Sequence, residues 1–140
     1  MNFNAFELML TQYMVSNHPD RIADTAFIRD RGELAAATFQ RCSHSGMTVD
    51  ESMAEARAVL FQGLLFSPYS MVKNIILQDT EIPSEDTGSF IMQMVELCRP
   101  ILDGYAAKHP DGEFNGTDDW YRAERETRQM IHRYMDNNGL

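Results

Sequence analysis

Between Phe90 and Tyr105 the apolar residues recur every three or four positions: Phe90, Ile91, Met94, Val95, Cys98, Ile101, Leu102 and Tyr105. A helix of 3.6 residues per turn gathers them on one face, and such a face is stable in water only when it packs against another element. Pro83-Ser84 punctuates the start, and Pro100, inside the segment, predicts a kink because it lacks an amide proton. No stretch alternates apolar and polar residues in the manner of a half-buried strand. The expected fold class is therefore all-α, a single compact bundle of five to six helices with the third helix central, occupying residues 1–140 as one domain.

The other helices are bounded by equally local signals. Phe3, Phe6, Leu10, Tyr13 and Met14 share a face of a first helix that Asn17-His18-Pro19 breaks, with a short helical turn through Ile22 after it. Asp24 can cap a second helix carrying Phe27, Ile28, Leu34, Ala35, Phe39 and Cys42 inward, until Ser45-Gly46 stops it. Thr48-Val-Asp-Glu51 fits a capping box, in which hydroxyl and carboxylate reciprocally satisfy free amides, and opens a third helix with Val49, Met53, Ala56, Leu60 and Leu64 inward. Ser67-Pro68 caps a fourth with Met71, Val72, Ile75 and Ile76 inward. After a loop from His109 to Thr117, a last helix runs from Asp118 to Asp136.

Val59-Leu-Phe-Gln-Gly63 matches the core of a site at which a picornaviral cysteine protease is used to remove tags. It continues a helical stripe begun ten residues earlier, so it belongs to the domain and is not a cloning scar. Glycine inside a helix costs about 1 kcal/mol relative to alanine. Gly63 is therefore expected to serve helix packing, through close approach of a neighbouring helix.

Leu60-Phe-Gln-Gly-Leu64, Phe66-Ser67, Tyr69 and Asn74-Ile75, with Ser16-x-His18-Pro19, Phe27-Ile28 and Glu33-Leu-Ala-Ala36, resemble the family of domain of unknown function 1896, small proteins of Bacteroidetes. Glu81-Ile-Pro83 fits an acidic turn of the same pattern. The resemblance covers residues 5 to 105 and does not extend past Lys108. It implies an all-helical domain often carried on conjugative or other mobile elements, and it implies no activity and no catalytic residues.

Composition narrows the functions. The formal charge of -9 opposes generic attraction to nucleic acid or to anionic membranes. No apolar run approaches the ~20 residues of a membrane span, and the N-terminal stretch lacks an export leader, so a cytoplasmic protein is expected. Cys42 and Cys98 sit on apolar helical stripes and read as buried reduced thiols.

The chemical motifs are sparse. Cys42-x-His44 supplies too few metal ligands, and side chains two apart on a helix diverge. Asp111-Gly-Glu-Phe-Asn-Gly116 has the glycines of a phosphate cradle but carboxylates that repel phosphate. No cofactor and no catalytic residue is called for.

Two polar groups stand out. His18, Asp20, Arg21, Arg29, Arg31 and Glu33, with Asp30, form a candidate polar groove between the first two helices, or else a cap with surface ion pairs. On the last helix Arg122, Arg125, Arg128, His132 and Arg133 share one face, opposite Trp120, Ala123, Ile131 and Tyr134. That face is a candidate interaction surface, although Asp118 and Glu124 stand four residues before Arg122 and Arg128 and can neutralise them.

The function these features favour is that of a non-catalytic accessory or adaptor protein acting on an unidentified protein partner. Two other readings stay open. One is a modulator of nucleic-acid machinery, as a DNA mimic or a weak binder through the arginine helix. The other is an enzyme with an unrecognised pocket between the first three helices.

Overall fold

In a computed structural model of the chain, which describes residues 5–110 and 112–140, the described residues form six α-helices and no strand. The helices are α1 (Ala5–Asn17), α2 (Thr25–His44), α3 (Val49–Leu60), α4 (Pro68–Asp79), α5 (Ser84–Ala106) and α6 (Asp118–Asn137), with a 3-10 turn at Pro19–Arg21 between the first two. The all-α class is as the sequence predicts. Phe3 and Asp111 lie outside the described residues.

The chain divides into two compact units, one ending at Leu65 and the other beginning at Phe66. In the first, α2 lies against both α1 and α3, so the central place expected of the third helix belongs here to the second. Its core is built by Phe6, Leu10 and Met14 of α1, Ile28 and Ala35 of α2, Ala56 and Leu60 of α3, and Leu64. The predicted caps are in place: Asp24 accepts from the Phe27 amide at 3.2 Å, and Thr48 and Glu51 exchange hydrogen bonds at 3.1 Å each.

Two inward assignments are corrected. Leu34 is 54% and Val49 67% exposed, while the small residues Gly32, Thr38 and Ser52 are buried in their helices. Small residues bring the three backbones together. At Gly32 a Cβ would run into the Cγ of Glu7 and come within 3.2 and 3.3 Å of the Glu7 backbone nitrogen and Cα.

In the second unit α4, α5 and α6 pack pairwise. Ser67 accepts from the Ser70 amide at 3.0 Å to start α4, and the four predicted residues Met71, Val72, Ile75 and Ile76 are all buried. They meet Phe90, Ile91, Met94, Val95, Cys98 and Leu102 of α5, with Ala123 and Ile131 of α6. Phe114, in the loop before α6, is buried too and stands edge-on to Phe66 at 4.8 Å between ring centroids. That loop is anchored by an aromatic side chain which the sequence reading passes over. Both cysteines are free and buried, and burial pushes the Cys98 thiol up to about 11.

No described helix is long and apolar enough to cross a membrane.

Candidate functional site

The polar groove anticipated in the first unit is taken up by the end of α3. That helix stops at Leu60, and Phe61, Gln62 and Gly63 form a turn instead of the further helix expected. The last carbonyls of a helix have no partner within it. Here Arg31 supplies one, its guanidinium donating to the carbonyls of Gln62 at 2.6 Å and Val59 at 3.2 Å. The Leu64 carbonyl accepts from the Tyr13 hydroxyl at 2.9 Å and from Nε2 of the buried His18 at 2.8 Å. A carbonyl can only accept, so Nε2 of His18 is the donor in this bond.

Arg21 also joins this assembly, since it and Arg31 lie 4.8 and 4.7 Å from the Phe27 ring centroid. Arg29 and Glu33 do not: Arg29 pairs with Asp30 at 3.3 Å in solvent and Glu33 is exposed, while Asp20 is half-buried in the 3-10 turn.

Gly63 is not a helix-packing residue. Its φ is +80°, and a Cβ there would meet nothing within 4 Å. The position needs glycine for the left-handed backbone that turns the chain out of α3. Close helix approach occurs at Gly32 instead.

The arginine face of α6 is divided in three. Arg128 and His132 both reach Asp79, the last residue of α4, His132 Nε2 at 2.8 Å. An acid is unfavourable at a helix C-terminus, where the dipole is already negative, and two cationic or donor side chains from α6 offset it. Arg122 reaches Asp119 at 3.4 Å, three residues back. The local pairs with Asp118 and Glu124 are thus replaced by Asp119 and by a partner 49 residues away. Arg125 and Arg133 are exposed, and no described residue pairs with either.

The hydrogen bond from His132, with Arg128 beside it, holds the Asp79 carboxyl below the usual aspartate range. A depressed folded pKa stabilises the fold above the unfolded value of about 4 and loses that contribution as pH falls through the folded pKa. Asp79→Asn is therefore expected to lower the urea midpoint at pH 7 and to differ progressively less from the unaltered chain below about pH 4. A constant difference across that range would assign the effect to packing and not to charge.

At the Arg133 edge of the arginine face of α6 lies an open groove against α5. Two adjoining hollows of about 210 and 290 Å³ share Ile101 and Glu126. Gln129, Met130 and Arg133 line the first, and Gly104, Tyr105 and Lys108 the second. Leu97, one turn before Ile101, extends the apolar floor and is itself exposed.

Glu126 is the one acid that lines both hollows, and Asp119 stands before it on the same helix. A hydrogen bond to Glu126 pushes the Tyr105 phenol up, and Asp119 is held below the usual range by His109, at 2.8 Å. The cations face out. Lys108 rests over the Tyr105 ring at 5.0 Å, and Arg133 projects from α6 at the other hollow. The α5 stripe that reads in the sequence as wholly core thus has an edge: Ile101 and Tyr105 are half-buried.

Gly104 sits inside α5, where glycine costs about 1 kcal/mol relative to alanine, and a Cβ there would meet nothing within 4 Å. No internal packing accounts for it. Among the described residues no group of three or more His, Cys, Asp or Glu side chains is placed to hold a metal ion.

The fold has a solved counterpart in protein PG0816 from Porphyromonas gingivalis, whose crystal structure superposes with a TM-score of 0.81 at 22% identity, over 95% of this chain and 90% of that one. At that identity the likeness concerns the fold. No curated protein matches the sequence. The family model for "Domain of unknown function (DUF1896)" matches residues 1–140, so the likeness seen in the sequence up to residue 105 continues through α6. With the entire length matched, the chain belongs to the DUF1896 family.

Proposed function

We propose that this chain is a non-catalytic accessory protein that acts by binding another protein. The observation that carries the reading is the α5/α6 groove, with an apolar floor at Ile101 and Met130 and a polar rim. Protein interfaces combine these two features, an apolar centre that excludes water and a polar border. Our reading takes the partner to be one encoded or met by a mobile element, the setting that the resemblance noted in the sequence implies.

Direct nucleic-acid binding is less well supported by the same geometry. Each neutralised phosphate adds about 0.9 to the slope of log K against log salt, and a tight binder makes about six to ten such contacts. Arg128 and His132 are turned to Asp79 and Arg122 to Asp119, which leaves Arg125 and Arg133 on that face. Two contacts give weak attraction, further opposed by the charge of -9.

Affinity capture from host lysate, with and without nuclease, tests the reading. A stoichiometric protein retained after nuclease is the expected result. Recovery that disappears with nuclease would transfer the function to nucleic acid.

A further inference from the structure

We propose that the α5/α6 groove receives an acidic amphipathic helix of a partner protein. The inference rests on the protein-binding reading above and names the chemistry of its partner. Leu97, Ile101, Gly104, Tyr105 and Lys108 lie at intervals of three and four, a strip of about 16 Å at 1.5 Å per residue, which matches about three turns of a docked helix.

The charge distribution selects the sign of the occupant. The chain as a whole carries -9, yet the groove is lined by two cations, Lys108 and Arg133, against one carboxylate, Glu126, which Tyr105 engages. Lys108 stands at one end of the strip and Arg133 projects beside Met130. A helix with an apolar ridge fills the floor, and carboxylates on its flanks reach Lys108 and Arg133. Gly104 is the second mark of the site. Open space where a Cβ would stand leaves room for a partner backbone to approach α5, a use that accounts for a helix-weakening residue that nothing inside the protein explains.

The test uses a labelled synthetic helix of three to four turns, with leucines at i, i+3, i+4 and i+7 and glutamates on the flanks. A twin peptide carries lysine for glutamate, and a single-stranded DNA oligonucleotide is included. Anisotropy titrations at low salt should show the glutamate peptide binding about tenfold or more tightly than its lysine twin. Amide shift changes should centre on Ile101, Gly104 and Met130.

The pair Lys108→Glu and Arg133→Glu should abolish that preference. Gly104→Ala should raise the melting temperature while weakening binding, a combination that loss of structure cannot produce. Equal affinity for the two peptides, or binding unchanged in Gly104→Ala and in the charge-reversed pair, would overturn the proposal, as would preference for the DNA. A nuclease-resistant partner captured from lysate with the charge-reversed protein would overturn this site while leaving the protein-binding reading intact.

Discussion

Arg31→Met is expected to make the intact chain cleavable between Gln62 and Gly63 by the protease whose site Val59-Leu-Phe-Gln-Gly63 matches, about ten- to a hundredfold faster than the unaltered chain. A protease takes its site as an extended strand. In the folded chain Val59 and Leu60 are the last residues of α3, Leu60 and Leu64 are buried, and the residues between them form a turn. Cutting therefore waits for local opening.

Opening breaks the bonds that Arg31 donates to the carbonyls of Gln62, Val59 and Leu60 at 2.6, 3.2 and 3.5 Å. Hydrogen bonds from a charged donor contribute about 1.5–3 kcal/mol, and partial solvent exposure of Arg31 places the loss toward the lower end. When reclosing outpaces cleavage, the rate follows the open population, so the lost free energy appears directly as faster cutting. Methionine keeps much of the stem over Phe27 while removing the donors. A free peptide of residues 57–67 gives the rate of a fully open site. Equal rates for the variant and the unaltered chain, with the peptide cut rapidly, would show that Arg31 does not hold the turn closed.

The same turn shows why part of the fold is legible in the sequence and part is not. Asp24, Thr48 with Glu51, and Ser67 each cap within three residues, so helix starts can be read from adjacent letters. The end of α3 cannot. Apolar residues continue to Phe66, and the turn is held by residues 28 to 51 positions away in sequence: Arg31 on a carbonyl of the helix end, and His18 and Tyr13 on the Leu64 carbonyl that follows the turn.

Ion pairing follows the same division. Local spacing offers Glu124 to Arg128, whereas packing brings Asp79, and only the fold determines which acid comes nearer. The candidate site was half legible for a related reason. Arg133 is named by the helical projection of α6, but Ile101 and Tyr105 repeat at core spacing. Periodicity does not distinguish the centre of an apolar stripe from an edge that the neighbouring helix leaves uncovered.

Gly32→Ala is expected to destabilise the first unit, although alanine is the better helix former by about 1 kcal/mol. The added methyl group would stand 3.2 and 3.3 Å from the backbone nitrogen and Cα of Glu7 and collide with its Cγ. The side chain of Glu7 can swing away; its backbone moves only with α1, which is held by Phe6, Leu10 and Met14 in the core. Overpacking of this kind costs about 1–3 kcal/mol, which exceeds or at least matches the propensity gain.

Hydrogen exchange at the Leu10 and Ala35 amides should therefore quicken in Gly32→Ala, and more so in Gly32→Val. Adding Glu7→Ala should restore only part of the protection, because it removes the Cγ collision and leaves the backbone contacts. Gly63→Ala should also weaken this unit, by about 1–2 kcal/mol, for a different reason: a φ of +80° strains any residue with a Cβ. Asparagine separates the two causes. It tolerates the left-handed region and should recover part of the loss at position 63, whereas at position 32 its greater bulk should deepen it. Faster exchange in Gly63→Asn than in Gly63→Ala, or full rescue of Gly32→Ala by Glu7→Ala, would refute the assignment of turn geometry to one glycine and helix contact to the other.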